Sequence, residues 1–248
     1  MVTLQQQLLR LNCRLVRLDA DQCIVESASG FIIERNGLHF LLSAGHVFQE
    51  DGWCLETDVR YEDTYETLLI CLTGVITFHI IDLNTMEAED LEFAYALLDI
   101  ERLTRMAQND PRLNGKPIRL ASYRGPLDIE PSLVKAEYCF ASLIPRASYT
   151  KLLGGRYRVD RELTAEYEMT YEGRSSDGKL YHFRLAGAHR GHKYYEGASG
   201  SPIADSEGKV VSLLLGGNTA DNTLQGLPLA DWLPLLDMRL QCTGDECI

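Results

Sequence analysis

Apolar residues fall in short runs separated by turn-forming residues through most of the chain. Val, Ile, Leu and Phe recur over Cys13 to Arg17, Gln22 to Glu26, Gly30 to Glu34 and Leu38 to Ser43. Asp19-Ala-Asp21 and Asn36-Gly37 punctuate these runs, and the second is a strong hairpin turn. Thr67 to Leu72, Val75 to Ile81 and Phe93 to Leu98 extend the series. Glu101 to Lys116 is polar, contains Asn109-Asp-Pro111 and Asn114-Gly115, and has the character of a connection between halves. The same style then resumes in Pro117 to Tyr123, Leu133 to Leu143, Gly155 to Val159, Ala165 to Tyr171, Leu180 to Leu185, Ser201 to Ala204 and Val210 to Leu215. Helical spacing is confined to the ends, over Val2 to Leu11 and Leu229 to Leu240. Trp232, Leu235, Leu236 and Leu240 make an apolar stripe on the second, and Pro234 requires that helix to start near Asp231. Many short strands with few helices predict an all-β fold of sandwich or barrel type in two halves.

Charge narrows the function. The 248 residues carry 36 acidic and 24 basic side chains, and 36 − 24 leaves −12, which disfavours nucleic acid and anionic membranes as partners. Arg184 to Lys193 is the densest basic stretch, with Arg184, Arg190, Lys193, His189 and His192. Seven scattered cysteines, odd in number and without a CxxC pair, suggest neither a disulfide framework nor a zinc site. The first residues lack a signal-peptide pattern and no apolar run spans a bilayer, so a reduced, cytoplasmic protein is the expectation.

Two segments carry chemistry. Ser29-Gly-Phe-Ile-Ile leads through a hairpin to Leu42-Ser-Ala-Gly-His46-Val, and Gly197-Ala-Ser199-Gly-Ser-Pro202-Ile precedes Asp205-Ser-Glu-Gly208 and a strand. Between them lies Glu89-Asp-Leu-Glu92-Phe-Ala-Tyr-Ala-Leu-Leu98. A serine hydroxyl is a weak nucleophile at neutral pH and needs a base within hydrogen-bond reach. Histidine, with an unperturbed pKa of about 6.5, suits that task, and a carboxylate fixes its tautomer. Glycines beside the serine allow a sharp turn that aims amides at a developing oxyanion.

In that order, and over about Ser29 to Gly217, these motifs resemble the trypsin/chymotrypsin-like serine peptidases, especially their bacterial and intracellular relatives. The resemblance implies two six-stranded antiparallel β-barrels with a C-terminal helix, in one peptidase domain. Its parts are a first barrel over 1–100, a connection over 101–116, a second barrel over 117–228 and a helix and tail over 229–248. It implies His46 as general base, Ser199 as nucleophile and the Gly197 and Ser199 N–H groups as the oxyanion hole, without a cofactor or metal. Glu92 stands where the family's acid is expected as Asp. Asp90, on the same side of an extended segment, is the rival, and the longer Glu arm moves its carboxylate by roughly 1.5 Å.

Ala198, before the nucleophile, cannot pair with a freed N-terminus, so activation by cleavage is not expected. Restraint by narrow specificity, a regulatory protein partner or loop rearrangement takes its place. The resemblance also puts Lys193 at the specificity-pocket floor, where a cation favours an acidic substrate side chain. Leu215-Gly216-Gly217 would pair with an extended polypeptide substrate. The alternative function is an inactive protease-like module that binds a peptide or partner. Three decoys fall away. Gly173 to Leu180 lacks the Ser or Thr of a phosphate loop, Ser201 replaces the last glycine of a hydrolase elbow, and His182, His189 and His192 lack companion ligands.

Overall fold

Strand-forming stretches become fourteen strands in the computed structural model, which describes residues 3–21, 23–61, 67–81, 85, 88–113, 115–134, 137–151 and 157–242. For 145–151, 157–160 and 239–242 only the backbone is described. Val2, Gln22, Asn114, Gly155 and the 243–248 tail with Cys247 lie outside the described residues.

In chain order, α1 (Leu4–Leu11) leads into β1 (Asn12–Leu18), β2 (Ile24–Arg35), β3 (Leu38–Ser43), β4 (Trp53–Arg60), β5 (Thr67–Cys71), β6 (Val75–Ile81) and β7 (Ala88–Leu98). Next come α2 (Ile100–Asn109), β8 (Ser122–Tyr123), β9 (Glu137–Lys151), β10 (Tyr157–Arg174) and β11 (Tyr181–Arg184). The chain finishes with α3 (His192–Tyr195), β12 (Pro202–Asp205), β13 (Val210–Asn218), β14 (Thr223–Pro228) and α4 (Leu233–Cys242).

The second half closes as expected into a six-stranded barrel, in the order β10-β11-β14-β13-β12-β9. The first half differs from a closed six-stranded barrel. It is an eight-stranded sheet ordered β5-β4-β1-β2-β3-β7-β6, with β8 added in parallel to β2. Its end strands β5 and β6 share no ladder among the described residues, yet only Leu72, Thr73 and Gly74 join them. Three residues reach about 10 Å at most, so the sheet must curl until its edges nearly meet. The connection is also more ordered than its polarity suggests. Asp99 caps α2 by accepting from the Arg102 N–H at 2.8 Å, while only Ala107 of that helix is buried.

Two strands have no counterpart in the apolar pattern, β14 and β4. In β4 the reason is polar burial: Glu56 and Thr57 are both buried. Thr57 Oγ1 donates to Leu68 O at 2.9 Å, and Glu56 takes Arg14 at 3.3 Å together with Arg161. Conversely, only Ser122 and Tyr123 of the Pro117–Tyr123 stretch form a ladder. α4 follows a short 3₁₀ turn at Ala230–Trp232, so Pro234 falls in its first turn, as its missing N–H requires.

One apolar cluster spans both halves. It joins Phe31, Phe40 and Phe93 of the first to Ala141, Leu213 and Leu227 of the second, with Leu8 of α1 and Leu236 of α4 packed in. The two halves therefore share one apolar core.

Candidate active site

His46 follows β3 on a 3₁₀ turn, Gly45–Gln49, anchored by the buried Ala44 and Val47. Phe48 of that turn packs edge-on against Trp53, with ring centroids 6.0 Å apart. Gly45 makes the placement sterically feasible. A Cβ there would meet Glu92 Cα and Phe93 N at 3.0 Å and would press still harder on Leu91 O. The turn thus lies directly on the β7 backbone at the residue that carries the acid.

Glu92 Oε2 lies 2.7 Å from His46 Nδ1 and 3.3 Å from the His46 backbone N. The hydrogen bond from His46 holds the Glu92 carboxyl below its usual range despite partial burial. An ionised carboxylate only accepts, so the Nδ1–H of His46 donates to Glu92. Asp90 is engaged elsewhere. Its carboxylate meets His79 Nδ1 at 2.6 Å, across the β6–β7 register pair, and both side chains are more than half exposed.

Ser199 sits between Gly197 and Gly200, whose φ angles of +83° and +89° few other residues adopt. The N–H groups of Ala198, Gly200 and Ser201 donate to Tyr195, Leu214 and Ala198 carbonyls at 2.9, 2.7 and 3.0 Å. Those of Gly197 and Ser199 donate to no acceptor among the described residues. The Ser199 hydroxyl donates to Leu215 O at 2.9 Å.

Small buried serines lock this loop to the first half. Ser29 N donates to Ser199 O at 3.0 Å, and Ser29 Oγ donates to Gly197 O at 2.9 Å. Ser43 Oγ donates to Ser29 O at 2.7 Å, while Gly200 approaches both groups too closely for any side chain. Behind them Ser142 Oγ lies 2.8 Å from Ser29 Oγ, and Asn12 Nδ2 donates to Ser201 Oγ at 2.9 Å. Ser43 ends the strand that leads to His46, so these bonds tie the serine loop to the strand preceding the histidine turn. Asn12 and Ser142 carried no sequence signal, since a small polar residue in a strand looks solvent-facing until its partner is known.

On the other flank, Lys193 is exposed on α3, and no ion pair joins it to another described residue. His189 and Tyr195 occupy the ground behind it. Their rings lie 4.8 Å apart, and Tyr195 donates to the buried Glu166 at 2.9 Å. His189 Nδ1 accepts from Gly191 N at 3.0 Å, while Gly217 leaves no room for a Cβ against Nε2. Burial, and then the neighbouring His192, lower the His189 pKa. Gly216 and Gly217 pair with Gln225 and Leu224 of β14, Leu215 lies at the register shift just before them, and the ladder to β12 stops at Leu213. Among the described residues no group of three or more His, Cys, Asp or Glu is arranged to hold a metal, and no helix is long and apolar enough to cross a membrane.

Comparison with protein-family profiles and with curated proteins gives no match. Solved structures do match in fold. Neuropsin, a serine protease expressed in the limbic system of mouse brain, superposes with a TM-score of 0.54 at 8% identity, over 93% of this chain and 94% of that one. The chain has the chymotrypsin-like fold. The active form of the Rv3671c protease from M. tuberculosis matches at 14% identity and a TM-score of 0.48, over 95% and 83% of the two chains. Tobacco etch virus protease complexed with product matches at 12% and 0.48, over 92% and 76%.

Proposed function

We propose that this chymotrypsin-fold chain is a serine endopeptidase. The reading rests on the His46–Glu92 contact of 2.7 Å, made on the turn after the strand that the serine loop is hydrogen-bonded to through Ser43 and Ser29. In this reaction the Ser199 hydroxyl leaves Leu215 O for His46 Nε2, which removes its proton as Oγ attacks the scissile carbonyl. Glu92 stabilises the imidazolium that forms. The free N–H groups of Gly197 and Ser199 receive the oxyanion, donors already in place when charge develops. His46 then protonates the leaving amine, and water repeats the cycle on the acyl-enzyme. An extended polypeptide pairs with the open edge at Leu215–Gly217. Lys193, exposed at the rim, favours an acidic side chain in that substrate.

The hydroxyl bonded to Leu215 O is a resting state. It supports restraint of activity until substrate or a regulatory partner turns Ser199 toward His46. The same bond favours a second reading, an inactive module that binds peptide without cutting it. The free thiols of Cys13, Cys54, Cys71 and Cys139 suit a reducing, cytoplasmic setting. Labelling by a fluorophosphonate probe tests the assignment. Labelling of the purified chain, abolished in Ser199→Ala and His46→Ala with the fold intact, supports the peptidase. A chain that stays unlabelled with and without candidate peptides and partners is the binding module.

A further inference from the structure

Cys54 and Cys71 stand directly opposite each other on antiparallel β4 and β5. The Leu72 N–H bonds Trp53 O at 2.9 Å, which makes the neighbouring 53/72 pair the hydrogen-bonded one. Cys54 and Cys71 are therefore a non-hydrogen-bonded pair, the type in which side chains approach most closely, with Cα atoms about 4.5 Å apart, inside the range a disulfide spans. Their sulfurs are 3.1 Å apart. The two thiols differ in access: Cys71 is exposed, whereas Cys54 is buried. Cys13 and Cys139 are buried elsewhere, with their thiols against the Leu11 and Ala204 carbonyls.

We propose that Cys54 and Cys71 are a reversible oxidation site, which a peroxide converts to a cross-strand disulfide. The exposed Cys71 reacts first. Its thiol gives up a proton, the sulfur attacks an oxygen of hydrogen peroxide, the O–O bond breaks, and the departing hydroxide takes that proton as water and leaves a sulfenic acid. Cys54 then attacks the Cys71 sulfur. The S–S bond forms, the S–O bond breaks, and the departing hydroxide takes the Cys54 proton as water. Two thiols and one peroxide yield one disulfide and two waters. Burial pushes the Cys54 thiol up to about 12, which keeps it from being the first target while contact with Cys71 lets it resolve the sulfenic acid.

The bond ties down edge strand β5, with which only β4 pairs among the described residues. The bond also falls one residue from Trp53, whose ring supports Phe48 on the His46 turn.

The test treats reduced, full-length protein with hydrogen peroxide and quenches with an alkylating agent. Expected are the loss of two titratable thiols and of about 2 Da, with a Cys54–Cys71 peptide in the non-reducing map that dithiothreitol removes. The melting temperature rises by about 5–10 °C on closure of this loop. Cys71→Ser removes both effects. Cys54→Ser leaves Cys71 trapped as a sulfenic acid or mixed disulfide with no rise in melting temperature. Ser199→Ala forms the bond like the wild type, which separates this site from the peptidase reading. A disulfide between other cysteines, an intermolecular link, or sulfinic acid at Cys71 without the cross-link overturns the proposal.

Discussion

Gly45→Ala probes the geometry on which the proposed chemistry depends. The added Cβ would meet Glu92 Cα and Phe93 N at 3.0 Å, with Leu91 O nearer still. Non-bonded carbon contacts settle at about 3.5–4 Å, so the His46 turn must retreat from β7 by on the order of 1 Å. Overpacking of this kind destabilises by about 1–3 kcal/mol, or about 2–10 °C in melting temperature for a chain this long. A catalytic group displaced by about 1 Å loses roughly 100-fold in rate. The fluorophosphonate labelling rate constant is therefore expected to fall about 100-fold. The downfield Nδ1 proton resonance of His46 should shift or broaden as the Glu92 contact lengthens. Gly187→Ala is the control, because nothing lies within 4 Å of a Cβ there. Its stability and labelling should match the wild type. If Gly45→Ala labels at the wild-type rate and keeps the His46 resonance, close approach of the turn to β7 does not position the dyad.

Other consequences can be measured directly. Glu92→Gln should lower the labelling rate by roughly 10³–10⁴-fold, whereas Asp90→Asn, which touches only His79, should leave it unchanged; the opposite result makes Asp90 the acid. Arg35 binds Asp237 through both carboxylate oxygens at 2.6 and 2.8 Å and ties α4 to β2. After solvent screening, Asp237→Asn should cost about 0.5–1 kcal/mol at pH 7. Arg35 lowers the Asp237 pKa from 3.8, so this stability is present above that value and disappears as pH falls through the lowered one. Melting curves of wild type and Asp237→Asn should therefore converge as pH falls below 3.8, and a gap unchanged in acid would refute the ion-pair account. Leu236→Ala, at a fully buried position of the cluster shared by both halves, should cost about 2–5 kcal/mol in denaturant unfolding.

Local patterns made much of this protein legible in its sequence. The all-β class follows from short apolar runs broken by turn residues, and the C-terminal helix from its apolar stripe and Pro234. His46, Ser199 and the flanking glycines stood out because the backbone around such a serine needs positive φ, a property of single residues. Strand β4 was hidden because polar Glu56 and Thr57 are buried in its middle, and a buried Glu56 makes sense only beside Arg14 and Arg161, far away in sequence. Alternation put Asp90 and Glu92 on one side of β7 and could not choose between them. Pairing chose, since β6 sets His79 opposite Asp90 while the turn after β3 lays His46 on Glu92.

The tertiary structure alone decided how the halves meet. Ser29, Ser43, Ser142, Asn12 and Ser201 are unremarkable one by one, and become the lattice that holds the serine loop only when four strands and a loop converge. It likewise decided that the first sheet curls without closing, that Lys193 faces water, and that Cys54 meets Cys71 across a ladder. Periodicity and turn chemistry are local and written in consecutive residues. Register, burial of polar groups and the approach of distant strands are relations between residues, fixed only when the chain packs.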